Sequence, residues 1–358
     1  MSLERDNKET CLRALQRIAS VLERSNRRIC GGDGENLRRS VDASDLDEGL
    51  AGAAAPSGRS GNDRLAGAPI SWGVCEVPGW GLQLPTERVL AEMAALGLKA
   101  TELGPQGWLP LDGAAARAEL DRHGLRLVGG FVPVVVHEPD LTATREHAQR
   151  AATQLAAAGA DVFVAAAVQD DAWATPTPLD DDGFERAGEH LREIADLVAG
   201  HGLELVLHPH VGTLVETAAD VERALAHTDV PWCFDTGHLL IGGVDPASFV
   251  RDHADRIGHV HLKDVDASLA ERVRSGELTL VQATQAGLFQ PLGEGDARID
   301  EVVRLLEDAG YERWLVLEQD LAITGSEPPV DGGPALDVRK SIEFLSTRAP
   351  RREKVSHS

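Results

Sequence analysis

From Ala68 onward the chain repeats one rhythm: a helical stretch rich in Ala, Leu, Glu and Arg, a glycine, then a short apolar run that ends in a polar or charged residue. The stops at Gly97, Gly124, Gly159, Gly202 and Gly310 each follow a helical stretch, where a helix C-terminus needs a residue tolerant of left-handed geometry. Apolar runs predict strands near 70–72, 100–103, 127–131, 161–166, 204–208, 232–235, 259–262 and 314–318. Eight strands alternating with helices over roughly 250 residues is the count of a closed (β/α)₈ barrel, whereas a doubly wound α/β sheet stops nearer six. No Gly-x-Gly-x-x-Gly follows the first strand, so a dinucleotide site has no support.

The sequence divides into an N-terminal extension over 1–67, the barrel over 68–348 and a disordered tail over 349–358. Within the extension, Leu12, Leu15, Ile18, Ala19 and Leu22 recur at helical spacing across 7–27, and Gly, Ser, Asp and Ala dominate from there to 67. The longest interruption of the barrel, 264–295, separates the seventh strand from its helix and holds a helix-like piece at 268–276. It sits on the face where βα loops build active sites, which makes it a candidate lid. A second candidate cover for the mouth is "VCEVPGWG", which contains Trp80.

A net charge of −23 repels a phosphate backbone, and Lys and Arg form no basic stripe, so nucleic acid is not an expected partner. No apolar stretch approaches the roughly 20 residues of a membrane span. Cys11, Cys30, Cys75 and Cys233 form no Cys-x-x-Cys pair, which argues against a disulfide framework or thiolate zinc site and fits the cytoplasm. No targeting signal is read at the N-terminus, and a homo-oligomer is compatible with the sequence.

Chemistry collects at the ends of the later strands. "LHPHVGT" carries His208 and His210, "CFDTGH" carries Asp235 and His238, "HVHLKD" carries His259, His261, Lys263 and Asp264, and "LEQD" carries Glu318 and Asp320. Alternate strand residues share a face, so His208 with His210, His261 with Lys263, and Glu318 with Asp320 can each point into one space. A barrel brings those ends to one mouth, and mixed His and carboxylate ligands suit Mn²⁺, Co²⁺, Fe²⁺, Zn²⁺ or Mg²⁺. Trp72, at the end of the predicted first strand, can supply an apolar wall for a sugar or cyclitol ring or fill the core. Glu102, ending the second, points toward the same mouth and is a candidate substrate contact, or forms a salt bridge under the rim.

Through "PISWG", "HPHVGT", "FDTGH", "HVHLKDV" and "WLVLEQD" the chain resembles the xylose isomerase-like TIM-barrel superfamily, most closely its inosose dehydratase-like branch, over 68–347. The resemblance implies one divalent metal, foremost Mn²⁺ or Co²⁺, held at the ends of the fifth to eighth strands. Asp235, His261 and Glu318 match three of the family's ligands; His208 stands where a Glu is usual, with Glu216 in the following loop as the alternative ligand or a substrate contact. His210, His238 and Lys263 are expected near substrate hydroxyls, although Lys263 can instead pair with Asp264 and His238 can orient Asp235.

A ketone polarised at such a site has an acidic neighbouring C–H, and the enediolate formed can expel a β-hydroxyl or be reprotonated elsewhere. The resemblance implies the first outcome, dehydration of a keto-cyclitol, with Glu318 or His210 accepting the proton and His238 or Lys263 assisting departure of hydroxide. The alternative is isomerisation or epimerisation of a ketose or sugar phosphate. A hydrolase of abasic DNA and a non-catalytic binding barrel are further readings, opposed by the acidic charge and by the ligand set respectively.

Overall fold

The computed structural model describes residues 61–348, so the helical spacing at 7–27 and the tail 349–358 lie outside the described residues. In chain order the strands are β1 (Leu65–Gly67), β2 (Ala100–Thr101), β3 (Arg126–Leu127), β4 (Gly129–Val134), β5 (Val162–Ala167), β6 (Glu204–Leu207), β7 (Trp232–Asp235), β8 (Ile257–Leu262), β9 (Asp264–Val265), β10 (Phe289–Gln290) and β11 (Leu315–Leu317). Nine of them form a parallel sheet in the order β3-β2-β1-β11-β8-β7-β6-β5-β4. Its two outer strands are one stretch of chain bent at buried Val128, whose N–H donates to Thr101 O while its carbonyl accepts from Asp161 and Val162. That residue joins the sheet edges, so the nine strands occupy the eight positions of a TIM barrel.

Helices cover the outside, and their ends carry the expected signals. Asp112 and Asp180 cap the helices Gly113–Arg122 and Asp181–Ala199, and Thr217 with Asp220 forms a capping box at Ala218–His227. All five glycine stops adopt positive φ. Every residue of β5 and β8 is buried, as parallel strands covered on both faces require. Small strand residues, Ala66, Ala100 and Val316 in one cluster and Val162, Val164, Val206 and Cys233 in another, pack apart from the larger core beneath the helices.

The first strand departs from the expectation. It lies at Leu65–Gly67, inside the stretch assigned to the extension, and 70–72 belongs instead to a 3-10 turn, Pro69–Trp72. Pro69 has no N–H for the ladder and a φ suited to starting a turn, and Gly73 ends that turn at φ 78°. The run was apolar enough for a strand, but its backbone chemistry was not. The inserted segment holds the helices Ala267–Arg274 and Leu280–Gln285 and an antiparallel β9–β10 pair. Buried Asp264 ties it down, its carboxylate accepting from the backbone N–H groups of Val265, Gly293, Gly295 and Ala297. Among the described residues no helix is long and apolar enough to cross a membrane.

Candidate metal centre

Register brings the cluster together. The β7–β8 pairing shifts at Trp232/Cys233, so Trp232 faces Ile257 but Cys233 already faces His259, skipping Gly258. A Cβ on Gly258 would lie 2.8 Å from Pro231 Cβ and 2.9 Å from Val206 Cγ1, so the bulge forms where a side chain has no room. Without the shift Asp235 would sit opposite Val260; with it, Asp235 stands beside His261. On the other side of β8, His261 pairs with Val316 of β11. His208 and Glu318 lie just past β6 and β11, still anchored by N–H bonds to Ala165 O and Leu262 O.

Asp235, His261 and Glu318 each offer a ligand atom within 4.8 Å of the others. His261 Nδ1 lies 2.6 Å from Glu318 Oε2 and 3.5 Å from Asp235 Oδ2. His208 Nε2 joins them at 3.3 Å from His261 Nδ1 and 3.4 Å from Asp235 Oδ2. Asp235 Oδ2 and Glu318 Oε2 are buried and have no hydrogen-bond partner among the described residues. Buried carboxylate oxygens that accept no hydrogen bond are costly even beside cationic side chains, here His261 Nδ1 at 2.6 Å from Glu318 Oε2 and Lys263 Nζ at 3.4 Å from Asp235 Oδ2, and a metal ion among them lowers that cost. Two imidazole nitrogens and two carboxylate oxygens therefore form a set that can hold one first-row divalent ion. Asp235 serves two purposes, since its Oδ1 accepts the His238 N–H and caps the short helix Thr236–Ile241 while Oδ2 turns to the cluster.

Behind the cluster, Glu102 Oε1 accepts from Nε2 of both His259 and His261 at 2.9 Å. With Nε2 of His261 donating, Nδ1 is the nitrogen presented to the ligand atoms, a tautomer assigned from these partners. Burial opposes a charge on Glu102, but His261 and His259 hold its carboxyl well below the usual range. Burial likewise opposes charge on His261, yet Cys233, Glu102 and Glu318 raise it well above an ordinary imidazole. Of the two readings open for Glu102, substrate contact or salt bridge under the rim, the observed contacts are those of the second, with His259 and His261 on one face of β8.

Toward the mouth, Lys263 Nζ lies 3.0 Å from both Glu318 Oε1 and Asp320 Oδ1, 3.4 Å from Asp235 Oδ2 and 3.1 Å from His238 Nε2. Burial penalises this ammonium, but Asp235, Asp320 and Glu318 hold its pKa well above the usual lysine value. It does not pair with Asp264, which faces the insertion. Gly237 lets the lysine pass: a Cβ there would lie 2.7 Å from Lys263 Cβ. His238 faces donors at both nitrogens, the Lys263 ammonium at Nε2 and the Val211 N–H at Nδ1 from 3.4 Å, so the ring is neutral, in keeping with a pKa pushed well down by burial, His210 and Lys263. His210 Nδ1 bonds Val211 O at 2.7 Å, and burial, His208 and Lys263 lower this ring to about 3. Asp320, read in the sequence but given no role, is pushed up to about 6 by burial against the pull of Lys263.

Two further expected residues have other observed partners. Trp72 is fully buried in the main core and donates through Nε1 to Glu92 Oε2 at 2.8 Å, because the 3-10 turn aims it beneath the helices. Glu216 accepts from Gly212 N–H at 2.8 Å, beside the helix that Thr217 caps, and takes no part in the ligand group. The aromatic surface at the mouth comes instead from Phe131 and Trp173, stacked at 6.0 Å beside His210. Phe131 ends the predicted third strand, which was the available signal; Trp173 lies in a loop and carried none. The insertion adds Phe289, whose ring lies 5.6 Å from Lys263 Nζ.

The family model of the xylose isomerase-like TIM barrel matches residues 90–348. The rhizopine catabolism protein MocC of Rhizobium meliloti is 34% identical over 266 residues, covering 72% of this chain and 81% of the relative. An inosose dehydratase of Geobacillus thermodenitrificans is 31% identical over 273 residues, covering 73% and 91%. Among solved structures, the probable 3-DHS dehydratase AsbF of Bacillus anthracis superposes with a TM-score of 0.59 at 15% identity, covering 80% of this chain and 100% of that one. An L-ribulose 3-epimerase superposes at 0.56 and 16%, covering 79% and 93%; at such identities the likeness is one of fold. With its strands closed into eight barrel positions and most of its length matched, the chain belongs to the xylose isomerase-like TIM-barrel family.

Proposed function

We propose that this protein is a divalent-metal-dependent lyase that dehydrates a keto-cyclitol of the inosose class, an intracellular step in inositol breakdown. The observation that carries the reading is the meeting of His208 Nε2, Asp235 Oδ2, His261 Nδ1 and Glu318 Oε2, whose two carboxylate oxygens are buried and accept no hydrogen bond among the described residues. Relatives named inosose dehydratase, similar over most of their length, support the substrate class. The nitrogen and oxygen donors suit Mn²⁺ or Co²⁺, and the free thiols of Cys75 and Cys233 suit a reducing compartment.

His208, Asp235, His261 and Glu318 would hold the ion, which would supply Lewis acidity toward a substrate ketone, and Glu102 fixes the His261 tautomer. Glu318 or His210 takes the proton from the carbon beside the ketone. Lys263, kept charged by its carboxylates, offsets the negative charge that develops and supplies a proton to the departing hydroxyl, with His238 holding the lysine from behind. Asp320 shares that lysine at the same 3.0 Å as Glu318 and can return a proton to it.

Incubation of the Mn²⁺- and Co²⁺-loaded protein with scyllo-inosose, followed by the absorbance of the unsaturated product, tests the reading. Near-stoichiometric metal and product formation are expected in the wild type, with metal and activity lost together in His261→Ala and Asp235→Asn. Ketose interconversion without that absorbance assigns the protein to the isomerase or epimerase branch, and full activity in either ligand variant rejects the site.

A further inference from the structure

The shifted register that stands Asp235 beside His261 also places Cys233 one layer deeper in the barrel, opposite His259. Alternate residues of β7 share a face, so Trp232 and Phe234 pack in the main core while Cys233 lies inside with Val162, Val164 and Val206. Its thiol is free and fully buried. A buried cysteine among valines is ordinarily an inert filler, but this one also has polar company. Its sulfur lies within 4.8 Å of a ring nitrogen of both His208 and His261. That group shares its two imidazoles with the ligand set described above and contains neither of the carboxylates. His208 has a nitrogen to spare, since Nε2 faces Asp235 and His261 while Nδ1 is buried with no hydrogen-bond partner among the described residues. Cysteine spacing along the chain argues against a thiolate zinc site, yet here the donors come from the ends of three strands and a single thiol suffices.

We infer that Cys233 Sγ, His208 and His261 form a second ion position that takes a thiophilic ion, Zn²⁺ or Cd²⁺, and whose occupation excludes Mn²⁺ from the oxygen-bearing position sharing its imidazoles. Thiolate is a soft ligand that selects zinc over manganese, and zinc already stands above manganese in affinity for nitrogen donors. Two imidazoles and one thiolate supply three protein ligands of a tetrahedral zinc site and leave one position open. Burial pushes the free thiol up to about 12, so it is neutral without an ion; coordination displaces its proton to solvent, and the charge of the ion compensates the thiolate. Manganese prefers oxygen and stays with Asp235 and Glu318. Zinc therefore competes with the ion that the proposed lyase uses. The inference rests on the metal centre of that reading and is independent of its substrate.

X-ray absorption at the zinc edge of the zinc-loaded full chain reads the ligands directly. One sulfur scatterer at about 2.3 Å is expected beside nitrogen or oxygen at about 2.0 to 2.1 Å, with no sulfur at the manganese edge of the Mn²⁺ form. Cys233→Ala and Cys233→Ser should lose the sulfur shell and bind Zn²⁺ and Cd²⁺ at least about tenfold more weakly in calorimetric titration, with Mn²⁺ affinity within about threefold of wild type. A shell of nitrogen and oxygen alone in the wild type rejects the position whether or not the variants fold. A sulfur shell that persists in Cys233→Ala assigns the ion to another cysteine and rejects it too, as does equal weakening of Zn²⁺ and Mn²⁺, the mark of a merely structural role. Sulfur-bound zinc in a protein that does not turn over inosose would keep this position and reject the dehydratase. Inosose turnover with zinc held by nitrogen and oxygen alone would do the reverse.

Discussion

Glu102→Gln isolates the contribution of a residue that touches no ligand atom. Glu102 Oε1 accepts two buried Nε2–H groups at 2.9 Å, from His259 and His261. Glutamine keeps the volume and one acceptor oxygen but removes the charge that makes the His261 ring more basic and its tautomer unique. Replacing such an outer partner of a metal-binding histidine weakens metal binding about 10- to 100-fold, or roughly 1.4 to 2.7 kcal/mol. The amide also leaves a buried histidine donor poorly satisfied, at a cost to folding of about 1 to 3 kcal/mol. Calorimetric titration with Mn²⁺ and Co²⁺, with circular dichroism to establish folding, measures both. Glu119→Gln is the control, because Glu119 belongs to a separate, more exposed group formed with Glu87 and His123 that shares no residue with the cluster. A folded Glu102→Gln protein whose dissociation constant stays within about threefold of wild type would refute the positioning role. Equal weakening in Glu119→Gln would place the measured ion on the outside of the protein.

Two further outcomes are expected. Asp264→Ala removes the acceptor of four backbone N–H groups, so faster amide exchange at Gly293, Gly295 and Ala297 and a loss of about 3 kcal/mol in denaturant unfolding should follow, and unchanged exchange would show that the insertion is held by other contacts. In protein treated with EDTA, the raised pKa of His261 contributes stability that is fully present below the unfolded value near 6.5 and is lost as pH rises through the folded pKa. Metal must displace the Nδ1 proton, so metal affinity should instead rise with pH and level off once His261 is neutral; titrations of Tm with and without metal that run parallel would contradict this.

The candidate cluster was legible because each member belongs to a short string whose local pattern is a strand end: His208, Asp235, His261 and Glu318 all terminate or immediately follow an apolar run, and a barrel sends every such end to one mouth. The glycine stops were legible for the same local reason, since positive φ is a property of the residue itself. Where the run was apolar but the backbone chemistry local to Pro69 opposed a strand, apolarity misled about the strand, and of the two readings open for Trp72, ring wall or core filler, the structure has the core.

What the chain alone determined is therefore the periodicity, the barrel class and the identity of the polar residues at its mouth, all set by interactions within a few residues. Which of those residues meet was decided by contacts across 25 to 159 positions of sequence: Glu102 with His261, Lys263 with His238, and the shifted register that stands Asp235 beside His261. A one-residue slip at Gly258 turns Asp235 from Val260 to His261, and no local pattern encodes it, because it is set by the room Pro231 and Val206 leave once the neighbouring strands are in place. The aromatic pair Phe131 and Trp173 depends in the same way on a loop turn meeting a strand, and exists only after the barrel has closed.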